Sequence, residues 1–187
     1  EKDPVKVLEF YNMRRKEVLN ALPNAAHLSL VKLESAFEVR IITQNIDDLH
    51  ERAGSSSVMH LHGEIKKARS SVDENLIVEI DGWEMKQGAL CPKGSLLRPH
   101  IVWFGEMVPM LDAAAELVAE ADIFIVIGTS LAVYPAASLV SYAPYDCEKY
   151  LIDPSAAVHL NGVRIIREKA GSGVPGLVDL LLKKETN

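Results

Sequence analysis

Hydrophobic and polar positions follow two different periods along the chain. A helical period extends over Val5 to Leu22 and, after Pro23-Asn24, over Ala25 to Phe37. In the second half, short apolar runs alternate with helix-like segments. The apolar runs are Ile101 to Phe104, Asp122 to Ile127, Tyr150 to Ile152 and Val163 to Ile166, and the helix-like segments are Met110 to Glu120, Ala136 to Tyr142 and Val174 to Lys184. This alternation predicts an α/β fold with a parallel sheet and helices on both faces.

Two earlier apolar runs, Val39 to Thr43 and Val58 to Leu61, stop at polar residues. The first is followed by Gln44 to Asp48 and the second by His62-Gly63-Glu64. Lys66 to Leu97 then contains many Gly, Ser and charged residues, and we interpret it as irregular structure in an insertion or small lobe.

Composition and charge narrow the class of protein. The 187 residues are 48% hydrophobic and 25% charged, which excludes a disordered chain, a collagen-like repeat and a disulfide miniprotein. The net charge of −6 argues against a nucleic-acid partner. No apolar run reaches the ~18 residues of a membrane helix. With two cysteines and no signal-peptide pattern at the start, we expect a cytoplasmic protein without a membrane or nucleic-acid partner, and a monomer.

Three polar clusters follow predicted strands, at the edge where ligands bind to open α/β sheets. They are Gln44 to Asp47, Gly128 to Ser130, and Asp153. A Gly-Thr-Ser turn before a helix offers N–H groups and hydroxyls to a phosphate, but many ordinary turns share this composition. An acidic residue after a strand can hold a ribose hydroxyl or simply face solvent.

Two histidines lie near the same edge. His62 is placed to act as a general base, because histidine gains and loses its proton near neutrality, or it simply caps a turn. His60 shares its face on a strand, and spacing does not rank the two. On the first helix, Tyr11 and Arg14 lie on one side and could receive a carboxylate, or be a packed phenol and a solvated cation. Metal chemistry is disfavoured, because Cys91 and Cys147 have no CxxC partner.

Four blocks taken together resemble one family. TQNIDDLHERAG (43–54), HLHGE (60–64), LRPHIVWFGE (97–106) and ADIFIVIGTSLAVYPAA (121–137) occur in this order and resemble the sirtuins, which are NAD-dependent protein deacylases. FYNMRR (10–15) resembles the Tyr-x-x-Arg helix of class III sirtuins, which remove succinyl and malonyl groups from lysine. The resemblance implies a Rossmann-like domain over 38–64 and 98–187. It implies a small lobe made of a helical module (1–37) and an insertion (65–97) in the position of the family's zinc module.

The resemblance also implies a role for each matching residue. His62 is the implied general base for a ribose hydroxyl, and Tyr11 and Arg14 are the implied receptor of the acyl carboxylate. The implied NAD contacts begin with Asn45 and Asp47 at the nicotinamide ribose and amide, with Gln44 and Ile46 beside them. They continue with Gly128, Thr129 and Ser130 at the diphosphate and ribose, and with Leu151, Ile152, Asp153 and Ala170 at the adenosine end. The implied peptide contacts are Val102, Trp103, Phe104, Gly105, Glu106 and Val133. The products would be nicotinamide, free lysine and O-acyl-ADP-ribose.

The sequence departs from the family pattern at three places. The family's glycine-rich GAGxS loop is not among these residues, so we expect either a preceding segment or a truncated product. The family's two cysteine pairs are replaced by Arg69-Ser70-Ser71 and Cys91, which predicts a zinc-free lobe. We expect that lobe to be stabilised by packing of Leu76, Ile77, Val78, Ile80, Trp83 and Met85. Leu151 stands where the family has an asparagine.

We therefore expect NAD-dependent removal of succinyl or malonyl groups from an acylated protein or peptide. Three alternatives stay open at the level of the sequence. The first is a plain deacetylase that does not use Tyr11 and Arg14. The second is a non-catalytic module that binds ADP-ribose or an acylated peptide. The third is a purely structural protein, which leaves the clustering of QNID, HGE and GTS at strand ends unexplained.

Overall fold

The computed structural model describes residues 3–129, 136–156 and 162–185, which fold into two compact units. The smaller unit comprises Glu1–Leu22, Thr43–Leu49 and His62–Met107, and the larger unit comprises Pro23–Ile42, His50–Leu61 and Val108–Asn187. No helix within the described ranges has the length and apolar character needed to cross a membrane.

Helix α1 and a three-stranded antiparallel sheet form the smaller unit. Helix α1 spans Pro4–Asn20 and begins at Asp3, whose side chain accepts a hydrogen bond from the Lys6 N–H. The sheet has the order β4-β3-β5. Its strands are β3 (Gly63–Ser70), β4 (Ile77–Glu79) and β5 (Leu97–Ile101).

The irregular structure predicted for Lys66 to Leu97 is therefore wrong over two of its segments. Strand β3 places Ile65, Ala68 and Ser70 in the interior. The lysines and arginine between them hide the alternation of apolar and polar positions in the sequence, but Lys67 forms ion pairs with Glu64 and Glu79. Charged residues on one face are compatible with a strand whose other face is buried.

The strand predicted at Ile101 to Phe104 lies four residues earlier, at Leu97–Ile101. Pro99 did not suggest a strand, yet β5 is an edge strand, where a proline is tolerated. Beyond Ile101 the chain turns, and the Glu106 N–H donates to the Trp103 carbonyl.

In the larger unit, a parallel sheet of order β6-β7-β8 confirms the predicted α/β class. Its strands are β6 (Ile123–Ile127), β7 (Glu148–Ile152) and β8 (Val163–Ile166). The helices are α2 (Ala25–Leu33), α4 (Leu111–Ala119), a 3-10 helix (Ala136–Tyr142) and α5 (Ala170–Glu185). A short helix α3 (Leu49–Ala53) and the pair β1 (Ile41–Thr43) and β2 (Val58–His60) complete the described elements.

Strand β6 shows why helices cover both faces of this sheet. Ile123, Ile125 and Ile127 pack against a buried cluster that includes residues of α2 and α5. Phe124, which points to the opposite face, packs against a second cluster that contains Ala114 and Val118 of α4. The run IFIVI is therefore apolar throughout, as is typical of a buried parallel strand.

Gly63 is a position at which any side chain would collide with the neighbouring strand. Its φ is +81°, and a Cβ placed there would lie 2.0 Å from the His100 carbonyl oxygen. This close approach brings β3 against β5 directly after His62, so the glycine allows the two segments to meet.

We predict that Gly63→Ala lowers the free energy of unfolding by about 3 kcal/mol or more, because strain from a positive φ adds to a backbone clash. Gly82→Ala is the matched control, since Gly82 has φ +71° but nothing within 4 Å of its added Cβ. The control is expected to lose only about 1–2 kcal/mol. Urea unfolding measures both variants, and equal losses would contradict the clash.

Candidate active site

Main-chain hydrogen bonds join three of the predicted site segments side by side in the smaller unit. The Ile65 N–H donates to the Ile46 carbonyl at 2.7 Å, and the Val102 N–H donates to the His62 carbonyl at 3.0 Å. His62 Nδ1 lies 3.0 Å from the Gln44 carbonyl oxygen. The structure therefore brings together the segments that contain Gln44, His62 and Val102, which are far apart in sequence.

The contact with Gln44 also assigns the hydrogens of the His62 ring. A carbonyl oxygen only accepts, so Nδ1 carries the hydrogen in this bond. In the neutral imidazole the lone pair is then on Nε2, which is the nitrogen that can take a proton. The ring is half-buried.

His60 has a different environment, which separates the two histidines that spacing did not rank. It is the last residue of β2 in the larger unit, and its Nε2 lies 2.7 Å from Glu51 Oε1. Its side chain is only 9% exposed. Because a carboxylate accepts, Nε2 of His60 carries the hydrogen of this bond, and it cannot take a proton while it donates to Glu51.

The segment from Gln44 to Asp47 forms a turn with its side chains at different depths. Asn45 is exposed, and its backbone N–H donates to Thr43 Oγ1 at 3.1 Å. Asp47 is half-buried and accepts a hydrogen bond from the Leu49 N–H at 3.1 Å. Ile46 is half-buried as well. These bonds fix the backbone of the turn beside His62.

The predicted peptide-binding segment Val102 to Glu106 is held by a staple, by which we mean Arg98, Trp103 and Glu106. The Arg98 guanidinium donates to both carboxylate oxygens of Glu106, at 2.9 and 3.1 Å, and stacks 3.5 Å from the centre of the Trp103 ring. The backbone N–H of Trp103 donates to the same carboxylate at 3.0 Å. Phe104 is fully exposed, and Gly105 has φ +87°.

The pKa of the Glu106 carboxyl lies below its ordinary value. Its burial works against the charge, but the hydrogen bonds from Arg98 and the Trp103 N–H, together with the charges of Arg98 and Arg69, outweigh it and lower the pKa of the carboxyl. The staple therefore stays intact at neutral pH.

His100 on β5 introduces a pH dependence into the same unit. Its Nδ1 is buried without a hydrogen-bond partner in the part of the chain that the structure describes. Burial first, and then the positive charge of Arg69 and lesser contributions from Lys67 and Arg98, lower the pKa of His100, while Glu64 opposes them.

We predict that stability falls as the pH drops below the ordinary histidine value of about 6.5, because the unfolded chain then binds a proton that folded His100 resists. The contribution of neutral His100 to the free energy of unfolding is fully present above that pH. It is lost as the pH falls toward the lowered pKa of His100 in the folded state. His100→Gln should reduce the difference in urea midpoint between pH 7.5 and pH 5. An unchanged difference would show that other groups cause it.

Tyr11 and Arg14, the predicted acyl-carboxylate receptor, lie on one side of α1. Arg14 is about half exposed and forms a 2.7 Å ion pair with Glu17, while the half-buried Tyr11 packs edge-on against Phe10. An exposed pair of this kind contributes little free energy. The Arg14 guanidinium can therefore exchange Glu17 for the carboxylate of a ligand.

The residues predicted to hold the adenosine side of NAD lie in the larger unit, where parallel strands end. The Gly128 N–H donates to the Ile152 carbonyl at 2.9 Å and the Asp153 N–H to the Ile166 carbonyl, so the ends of β6, β7 and β8 are adjacent. The buried carboxylate of Asp153 accepts from the Ser155 N–H and hydroxyl at 2.7 and 2.6 Å.

Other residues of this group differ in exposure. Gly128 is exposed and Thr129 half-buried, whereas the side chains of Leu151 and Ile152 lie in the interior. Ala170 begins α5 and packs against the buried cluster. Ser130 and Val133 lie outside the described residues. The ligand contacts of all of them remain predictions.

Apolar packing in the insertion is only partial, with Leu76, Val78 and Ile80 half-buried, and hydrogen bonds also hold its loops. Of the six residues expected to pack there, Met85 alone is buried, and Ile77 and Trp83 are each 43% exposed. Ser70 Oγ instead accepts hydrogen bonds from the Val72 and Asp73 N–H groups, and Lys93 pairs with Asp73 at 2.9 Å. Short loops with few apolar residues cannot build a core of their own, and their polar groups bond locally.

Metal ligands are not grouped in the described part of the chain. No cluster there contains three or more histidine, cysteine, aspartate or glutamate residues with a geometry that could hold a metal ion. Cys91 and Cys147 are both buried and not joined in a disulfide. The absence of zinc remains a prediction.

Sequence reasoning missed Asn12, Arg15 and Arg69. Asn12 and Arg15 are buried on α1, and Arg69 contributes a 3.4 Å contact to Glu106. Buried polar residues carry no periodic signal, so their bonds to distant main-chain atoms could not be read from spacing.

Comparison with known proteins supplies the family. The Sir2 family model matches residues 1–135. The chain belongs to the Sir2 family. A Bacteroides thetaiotaomicron relative named NAD-dependent protein deacylase is 48% identical over 189 residues, covering 97% of this chain and 81% of its own length. A Helicobacter pylori relative of the same name is 50% identical over 186 residues, covering 97% and 80%.

Solved structures give the same result for the fold of this Sir2 chain. A Sir2 homologue in complex with NAD matches with a TM-score of 0.87 and 40% identity, covering 98% of this chain and 74% of that one. A Sir2 protein bound to a propionylated peptide matches with a TM-score of 0.74 and 32% identity, covering 95% and 78%. The predicted resemblance to sirtuins and the α/β fold class are both confirmed.

Proposed function

We propose that this Sir2-family chain removes acyl groups from protein lysine in an NAD-dependent reaction, and that it prefers the acidic succinyl and malonyl groups. The observation that carries the proposal is the set of hydrogen bonds that joins the segments of Gln44, His62 and Val102, one of them from the His62 ring and the others between main-chain atoms, in a unit that also contains Tyr11 and Arg14. Relatives named NAD-dependent protein deacylase support the reaction class.

The residues present fit an NAD molecule at the two places where the sequence predicts it. Gly128 has φ +65°, and no atom of the described residues lies within 4 Å of a Cβ placed there, so among these residues nothing blocks the approach of a phosphate or ribose to its backbone. The buried Asp153 carboxylate at the end of β7 suits a ribose hydroxyl. Asn45 and Asp47, on the turn beside His62, would hold the nicotinamide ribose and amide.

When bound, NAD would supply an electrophilic anomeric carbon for the acyl oxygen, with nicotinamide as the leaving group. The protein's part is orientation and proton transfer. Because an amide oxygen is a weak nucleophile, the peptide must be held in a fixed position, and this can contribute much of the rate. His62 Nε2, with Nδ1 anchored on the Gln44 carbonyl, would take the proton of a ribose hydroxyl.

The peptide would bind along Val102 to Glu106 as an added strand, through main-chain hydrogen bonds. The staple of Arg98, Trp103 and Glu106 holds this segment before the peptide arrives. Preorganisation of this kind lowers the entropy cost of binding.

We predict that Arg98→Met raises the KM for an acylated peptide by about tenfold, with a smaller change in kcat, because a charge-assisted hydrogen bond is worth about 1.5–3 kcal/mol. Lys93→Met is the control, since it removes an exposed cation of the same unit that pairs with Asp73. Steady-state kinetics measure both, and a fall in kcat alone would contradict a role in peptide binding.

Acyl preference would come from Tyr11 and Arg14. A guanidinium and a phenol hydroxyl can bind a carboxylate, and the receptor loses that partner when the acyl group ends in a methyl. The test compares kcat/KM for succinyl, malonyl and acetyl versions of one peptide. Preference for the acidic groups supports the proposal, equal or better use of acetyl indicates a plain deacetylase, and binding without turnover indicates a binding module.

A further inference from the structure

Helix α1 is attached to its unit in an unusual way. It has 17 residues, yet its buried side chains are a polar amide, Asn12, and a guanidinium, Arg15. Arg15 is completely buried and Asn12 is 8% exposed. A helix of a globular protein normally packs through an apolar stripe, which is tolerant of small rotations.

Asn12 binds a backbone segment of the insertion through both ends of its amide. Its Nδ2 donates to the Met85 carbonyl at 3.0 Å, and its Oδ1 accepts from the Met85 N–H at 3.0 Å. The side chain therefore pairs with Met85 as a neighbouring strand would.

Arg15 extends this contact to β3. Its Nε donates to the Ile65 carbonyl at 2.6 Å, and one terminal nitrogen donates to the Trp83 carbonyl and to Asn12 Oδ1, both at 2.8 Å. We call Asn12 and Arg15, with their bonds to Ile65, Trp83 and Met85, the polar clasp.

Burial of the polar clasp costs desolvation free energy, which argues that the directions of its hydrogen bonds serve a purpose beyond stability. The other terminal nitrogen of Arg15 is buried without a hydrogen-bond partner among the residues that the structure describes. Burial lowers the pKa of the Arg15 guanidinium. Apolar side chains would close the same contact without this cost, but they would not supply the four directional bonds that link α1 to Ile65, Trp83 and Met85.

Directional bonds fix the rotation of α1 about its axis, and that rotation sets where Tyr11 and Arg14 point. Tyr11 and Arg14 each precede a clasp residue by one position, so the two pairs lie about 100° apart around the same stretch of the helix. Side chains end about 6 Å from a helix axis, so a rotation of about 10° moves them by ~1 Å. A misplacement of that size is enough to impair recognition.

We propose that Asn12 and Arg15 are positioning residues for the acyl-carboxylate receptor of Tyr11 and Arg14. This inference rests on the proposed function, because it concerns the same acyl site. The polar clasp would not touch the substrate, and it acts by fixing the helix that presents the receptor.

The test measures the ratio of kcat/KM for succinyl-lysine to kcat/KM for acetyl-lysine in one peptide. Asn12→Leu removes both bonds to Met85 with a side chain of similar size, and should lower the ratio about tenfold while acetyl-lysine turnover stays within about threefold. Asn12→Asp keeps the acceptor for the Met85 N–H and for Arg15 and loses one donor. It should retain the fold and lower the ratio only about threefold.

Val178→Ala is the control for instability alone. Val178 is buried in the larger unit, so its truncation destabilises the protein without touching the clasp, and the ratio should be unchanged. Hydrogen exchange of the Met85 amide provides a second readout, and it should accelerate in Asn12→Leu.

The outcomes separate this inference from the proposed function. A wild-type protein without preference for succinyl-lysine overturns the acyl class, and the positioning role with it. A wild type that has the preference, with ratios within twofold in both Asn12 variants, overturns the positioning role alone. An equal loss with both peptides also overturns it, because the clasp would then be merely structural.

Discussion

His62→Ala is expected to lower kcat/KM for an acylated peptide by about 10² to 10⁴, the contribution typical of a general base. The reason is that His62 contacts the segments of Gln44 and Val102, through its ring and its carbonyl, and its Nε2 holds the lone pair. Release of nicotinamide with a succinyl-lysine peptide measures the effect.

His60→Gln is the control for that experiment. His60 lies two residues before His62 in the chain, but its ring is paired with Glu51. Loss of the His60 ring should therefore change turnover by less than about tenfold. If His60→Gln abolished turnover and His62→Ala left it intact, the assignment of the base would be reversed.

The second large effect is expected at Arg14. Arg14→Met should reduce kcat/KM for succinyl-lysine by about 10- to 100-fold, because a hydrogen bond to a charged group contributes about 1.5–3 kcal/mol. Turnover of acetyl-lysine should stay within about threefold, since that acyl group offers no carboxylate. The measurement is the pair of kcat/KM values on the two peptides.

Arg40→Met supplies the matched control for the loss of an exposed arginine. Arg40 forms an ion pair with Glu38 and is about half exposed, like Arg14 with Glu17. It should leave the ratio of the two substrates unchanged. Equal losses of both substrates in Arg14→Met would indicate damage to the helix rather than loss of a carboxylate receptor.

The sequence predicted the larger unit well because its elements have strong local signals. The apolar run of β6 and the amphipathic α4 lie close to where the structure places them. Strand β3 was missed, because Lys66, Lys67 and Arg69 interrupt its apolar positions and find partners only in the folded protein. Sequence patterns record burial, and they do not record the ion pairs that form only in the folded chain.

The candidate site was predicted as a set of residues but not as an arrangement. The motifs named Gln44, His62 and Val102, while the bonds that align them run between main-chain atoms or end on a carbonyl. The spacing of His60 and His62 does not distinguish them. Their hydrogen-bond partners do, because His60 pairs with Glu51 and His62 with the Gln44 carbonyl. Because main-chain hydrogen bonds can form at almost any residue type, the amino-acid sequence does not reveal where they form.

The most direct test of the central claim is the mass spectrum of a succinyl-lysine peptide and its small-molecule products after incubation with the protein and NAD. We expect unmodified lysine together with O-succinyl-ADP-ribose, formed only when NAD is present. A succinyl-lysine peptide that stays intact under conditions in which an acetyl-lysine peptide is deacylated would contradict the acyl class. If neither peptide lost its acyl group, the deacylase activity itself would be contradicted.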